Sequence, residues 1–147
     1  MANHRAEDIV AAVVTKVTGL TTTGSRVFRG RVYPLQDTEE PALCVFLKSD
    51  NPDEPSNSFS ILDSDLSISI QAYVKTSASQ VDTVLNQIRK EVTIALQADN
   101  KQGLAYVIET FEGPADYAVR GEGDKPTAVL TMDWKFKYRR SRQDPSA

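Results

Sequence analysis

The side chains that could do chemistry in this chain are few and scattered. His4 is the one histidine among 147 residues, and Cys44 is the one cysteine. A Ser/His/Asp hydrolytic set would have to recruit His4, beside the start of the sequence, where a solvated side chain is expected. One Cys and one His fall short of a zinc site of the usual type. Cys44 sits in an apolar run, where packing rather than thiolate chemistry is the default. Asp50, Asp53 and Glu54 could surround a hard cation, but they lack the glycine and spacing of a calcium loop. Asp63 and Asp65 flank a serine at a strand start, where edge protection or a partner contact outweighs an acid–base pair. Gly121-Glu122-Gly123 lacks the rest of a dinucleotide fingerprint and precedes a strand, not a helix. No catalytic, cofactor-binding or metal site follows, and the chain reads as a non-enzyme.

Charge is the stronger signal. Lys135, Lys137, Arg139, Arg140 and Arg142 follow one another along one strand face and the residues after it. Such a row is either a solvated face that resists aggregation or an electrostatic contact with nucleic acid or an acidic neighbour. No aromatic platform interleaves it, which disfavours single-strand binding. An acidic set stands against it: Asp37, Glu39, Glu40, Asp50, Asp53 and Glu54. Two unlike patches on one subunit suit a head-to-tail contact. Arg29 and Arg31 add a second basic pair around Gly30. The candidate partner-contact residues are therefore Arg29, Arg31, Asp50, Asp53, Glu54, Lys135, Lys137 and Arg139. Their order predicts that the basic row meets an acidic loop of a neighbouring copy or partner.

These residues must be placed by secondary structure. Residues 65–75 alternate: Leu66, Ile68, Ile70, Ala72 and Val74 on one side, Ser67, Ser69, Gln71 and Tyr73 on the other, the period of a half-buried strand. Val81, Val84, Leu85, Ile88, Val92, Ala95 and Leu96 then recur at helical spacing. Ser77 with Gln80 fits a capping box for that helix. Near the start, Asn3 is a candidate cap for a helix whose stripe is Ala6, Ile9, Val10, Val13 and Val17, closed by Gly19. Strands are expected over 27–33, with a bulge or a close backbone approach at Gly30, and over 42–48, which is apolar on both faces and so central or partly covered on both sides. Another is expected over 59–75, with a bend near Asp63. Residues 49–58 read as a mobile loop, 104–111 as a strand and 113–126 as a second long loop. The cleanest strand runs over 127–139, with Leu130, Met132, Trp134, Phe136 and Tyr138 on its core side. A disordered tail is expected after residue 140.

The sum is an α+β fold: a single two-layer domain over 1–140, with a mixed or antiparallel sheet of about five strands packed by two helices, in the order α-β-β-β-α-β-β. The size suits one domain. Hydrophobic residues make up 40% and charged residues 25%, which argues against wholesale disorder. A net charge of −3 is too small to mark a general nucleic-acid or membrane binder. One cysteine excludes an intrachain disulfide and suits a reducing compartment. The start reads as neither a signal peptide nor a span, so a soluble protein made in the cytosol is expected.

The element order and several short stretches carry a resemblance. They are Val27-Phe28-Arg29-Gly30-Arg31, Glu40-Pro41-Ala42-Leu43-Cys44-Val45-Phe46-Leu47 and Asp65-Leu66-Ser67-Ile68-Ser69-Ile70-Gln71-Ala72-Tyr73-Val74, with an amphipathic helix after them. Together they resemble the tail terminator proteins of long-tailed phages, over roughly residues 5–138. The resemblance implies a structural virion protein at the head-proximal end of the tail, made in the host bacterial cytoplasm. It implies a hexameric ring that caps the tail-tube protein, ends tube growth and offers a surface to the head–tail connector. Genome DNA would pass through the ring without sequence-specific binding, and neither a cofactor nor a membrane is implied. Another neck, tail-completion or head-closure protein, or a small nucleic-acid-binding module, is the alternative.

Overall fold

A computed structural model describes residues 2–30, 41–53, 60–75, 80–120 and 127–147. The first helix, α1, is Arg5–Val17, and its cap is His4 rather than Asn3. The His4 Nδ1 accepts the Ala6 amide at 3.0 Å, which satisfies a donor the helix itself cannot. Asn3 instead donates to the Asp8 carboxylate at 3.4 Å. Glu7 and Asp8 sit in the first turn and Lys16 in the last, each matched to the helix dipole. Gly19, with φ of +88°, turns the chain out of the helix.

Strand β1 is Val27–Arg29 among the described residues. Gly30 follows it at φ +60°, a left-handed conformation that glycine adopts without strain, and its amide donates to the Val45 carbonyl at 2.8 Å. Arg31 and the remainder of the expected strand lie outside the described residues. Strand β2 is Ala42–Pro52 and takes in 49–52, which the prolines and acids had marked as loop. Pairing with β3 carries it that far. Strand β3 is Ile61–Lys75 and pairs antiparallel from Ala42↔Tyr73 to Pro52↔Ser64. The bend expected near Asp63 is not there, since β3 pairs in unbroken register through it; the ladder's irregularity lies instead between Leu47 and Ser49 of β2, opposite Ile68 and Ser67, with Lys48 as the extra residue.

Helix α2 is Val81–Gln97. Gln80 is its cap and makes no side-chain capping bond, so the helix starts later than the capping-box reading required. Ser77 lies outside the described residues. Beyond the helix, the Asp99 carboxylate accepts the amides of Lys101 (3.0 Å) and Gly103 (2.8 Å). Gln102 holds a left-handed φ of +53° while its buried amide donates to the Leu96 carbonyl at 2.7 Å. These bonds fix the break that Lys101-Gln102-Gly103 announced.

Strand β4 is Val107–Arg120 and β5 is Thr127–Ser141. The sequence pattern ended β4 near Phe111 because Gly113-Pro114 reads as loop. The two residues instead form a bulge between Glu112 and Ala115, and the ladder resumes at Ala115↔Met132. A Cβ on Gly113 would stand 2.6 Å from the Asp133 carbonyl oxygen, so only glycine permits that approach.

The described residues form one mixed five-stranded sheet in the order β1-β2-β3-β5-β4, with only β1–β2 parallel. The α+β class and element order expected from the sequence are those of the protein. Leu66, Ile68 and Ile70 of β3 and their partners Phe136, Trp134 and Met132 share one face. They join the stripes of both helices in a single core. This is the covered face; the other, the open face, carries Ser67, Asp133, Lys135, Lys137 and Arg139. Where disorder was expected after residue 140, the chain turns back: the Arg5 amide donates to the Pro145 carbonyl at 2.9 Å, and the Arg142 amide to Ser60 at 3.0 Å.

Candidate assembly interface

Period-2 alternation puts Lys135, Lys137 and Arg139 of β5 on the open face, as their spacing demands. The ladder then decides what they meet. Asp63 and Arg139 are cross-strand partners, and so are Asp65 and Lys137. The Arg139 guanidinium grips the Asp63 carboxylate with two bonds, of 2.7 and 3.2 Å. Asp63 is nearly buried, with 8% of its side chain exposed, while Arg139 is 57% exposed. The Asp63 bond raises the arginine's already high pKa. Lys137 reaches Asp53 at 3.3 Å, and Lys135 lies over the Phe111 ring at 5.0 Å. Two of the three basic side chains expected to reach a partner are thus paired with acids of the same chain.

The acidic candidates divide likewise. Asp53 belongs to the Lys137 pair. Asp50 points to the covered face, where it accepts the Tyr138 hydroxyl at 2.6 Å and that of Ser64 by a shorter bond. Burial, followed by this bond to Asp50, raises the Tyr138 pKa far above its ordinary value, so the phenol stays protonated. Arg29 meets Glu7 of α1 through two bonds of 2.6 Å. Those bonds lower the Glu7 pKa and raise that of Arg29. Arg31 and Glu54 lie outside the described residues. The six described candidates therefore do not gather into one patch. The described ones mostly tie elements of the fold together.

On the open face a depression of about 370 Å³ runs between Lys48, Ser67, Phe111, Gly113, Asp133 and Lys135. Lys48 bonds Asp133 at 3.1 Å across it. Among the described residues no group of three His, Cys, Asp or Glu side chains is placed to hold a metal ion. No described helix is long and apolar enough to cross a membrane.

Sequence reasoning missed the exposed apolar residues at the sheet's margins. Leu47 on β2 is 52% exposed, and Tyr117 and Val119 on β4 are 43% and 57% exposed. The alternation of Ala115, Tyr117 and Val119 with Asp116 and Ala118 was the signal that could have found them. Gly113-Pro114 hid it by reading as the end of a strand. Compared with known families and proteins, the chain matches no family model and no curated sequence.

Proposed function

We propose that this protein is a non-enzymatic assembly subunit of the tail-terminator type. It closes with copies of itself into a ring on the last ring of tail-tube subunits, stops tube growth and presents a surface to the head–tail connector. The observation that carries this reading is the element order α-β-β-β-α-β-β, built into one mixed sheet. That order is what the sequence resemblance rests on. Leu47 and Val119, exposed at opposite margins of the sheet, are side chains that a neighbouring copy would cover. The internal pairing of Lys137 and Arg139 weighs against nucleic-acid binding, since paired cations neutralise fewer phosphates.

The test is light scattering in solution with electron microscopy, followed by addition to growing tail tubes. Rings of six copies and tubes of arrested length are expected. A monomer at every concentration that leaves tube length unchanged would overturn the proposal. Rings that bind a connector but never arrest tubes would indicate a neck or head-closure protein instead.

A further inference from the structure

The two long margins of the sheet are not equally closed. On the β2 side, β1 covers only Leu43, Cys44 and Val45, and its last contact is the Gly30 amide on the Val45 carbonyl at 2.8 Å. Residues 46–52 continue as strand with no strand beyond them among the described residues. On the β4 side, the first half is guarded. Ile108 is bulged, and the Glu109 carboxylate accepts both the Thr110 amide (3.1 Å) and the Asn100 side chain (2.9 Å). Such devices are how natural sheets close an edge. The second half, beyond the Gly113-Pro114 bulge, is tied instead to α2, where the Tyr117 hydroxyl donates to Asn86 at 2.7 Å and accepts from Arg89 at 3.3 Å, and its ladder carries no further bulge. Among the described residues, one segment on each margin therefore has no strand beside it.

The two segments fit each other. β2 and β4 run in opposite directions within the sheet, as the three antiparallel pairings between them require. A second copy set beside the first in the same orientation would bring β4 of one against β2 of the next as an antiparallel pair. Leu47, Tyr117 and Val119 all belong to the covered face by register. Beside Leu47 lies a groove of about 340 Å³ between the start of α1 and β2, floored by Leu66 and Ala6.

We propose that the second half of β4 adds as a strand to residues 46–52 of another copy of this chain, with Val119 seated in the groove beside Leu47. The contact joins two different surfaces, so it propagates from copy to copy and closes only as a ring. Main-chain bonds along the new ladder would supply affinity, and the Val119 groove would fix register. This deepens the ring reading and rests on it.

Leu47→Cys and Val119→Cys, each in a Cys44→Ala background, test the contact. Both positions are exposed, so the subunit fold should survive. Each variant is expressed alone and the two are co-expressed; all are oxidised mildly and run on non-reducing gels. Linked dimers are expected only from the co-expressed pair. Equal linking in either variant alone would show a self-complementary contact and overturn the proposal. Val119→Lys should weaken association about tenfold, because a lysine on an edge opposes strand addition. If the wild type forms rings but the pair stays unlinked and Val119→Lys assembles normally, the edge contact is wrong and the ring reading stands. A wild type that stays monomeric removes both.

Discussion

The two faces of the sheet are held by different physics. On the covered face, Leu66, Ile68, Ile70 and Phe136 are fully excluded from water and locked between helix stripes. On the open face, order comes from cross-strand charge pairs and from one lysine over a ring. Burial is worth kilocalories per side chain, whereas a half-exposed ion pair is worth a fraction of one. The same alternation of residues thus writes stability on one side and register on the other. The charges on the open face specify how β3 and β5 align more than they strengthen the molecule.

The comparison predicts a steep order of mutational effects. Ile70→Ala or Leu85→Ala opens a cavity in the covered face and should cost about 2–5 kcal/mol in a denaturant titration. A midpoint within error of wild type would break the contrast at its stronger end. Gly113→Ala comes next, at about 1–3 kcal/mol, because its methyl group would press on the Asp133 carbonyl, which is backbone and must shift. An unchanged melting temperature would mean that the β4 bulge gives way freely.

Glu91 sharpens the comparison with pH. Burial alone would raise its pKa, but bonds from the Thr22 hydroxyl and amide and from Gln87 outweigh burial and lower it below 4.5. A lowered carboxylate contributes stability that is full above its unfolded value and lost as pH falls through its folded value. Glu91→Gln should therefore be less stable than wild type by about 1 kcal/mol at neutral pH. The difference should shrink as acid is added below pH 4.5, and a constant gap between the two titrations would contradict the assignment. The smallest effect is expected for Lys137→Ala on the open face, about 0–1 kcal/mol and fading in salt. A loss as large as that of Ile70→Ala would show that the open face is not secondary.

Legibility followed the same division. Wherever one face was buried, periodicity named the element and its core side: the stripes of α1 and α2, the alternation of β3, and the Leu130-to-Tyr138 row of β5 all stand as read. Wherever a strand ran beyond the core, composition misled. Residues 49–52 look like loop, yet the β3 ladder holds them extended, and Gly113-Pro114 looks like an end where it is a bulge. Single-residue spacing also could not show that Arg139 lies opposite Asp63, because that fact belongs to register between segments distant in sequence. The partner-contact residues were chosen by charge alone, and charge does not reveal whether a counterion is already in the same chain.

The uninterrupted ladder between β3 and β5 has a consequence for biosynthesis. β5 is central in space yet follows the other six elements along the chain. While the polypeptide emerges from the ribosome, β3 can pair with β2 and receive α2, but its second flank waits for residues 127–141. Contacts between such distant segments form slowly, and uncovered flanks invite wrong pairing. A nascent chain stalled before Thr127 lacks the middle of its sheet and exposes the flanks of both β3 and β4. The two flanks stay unpaired until the fifth strand has closed the gap between them.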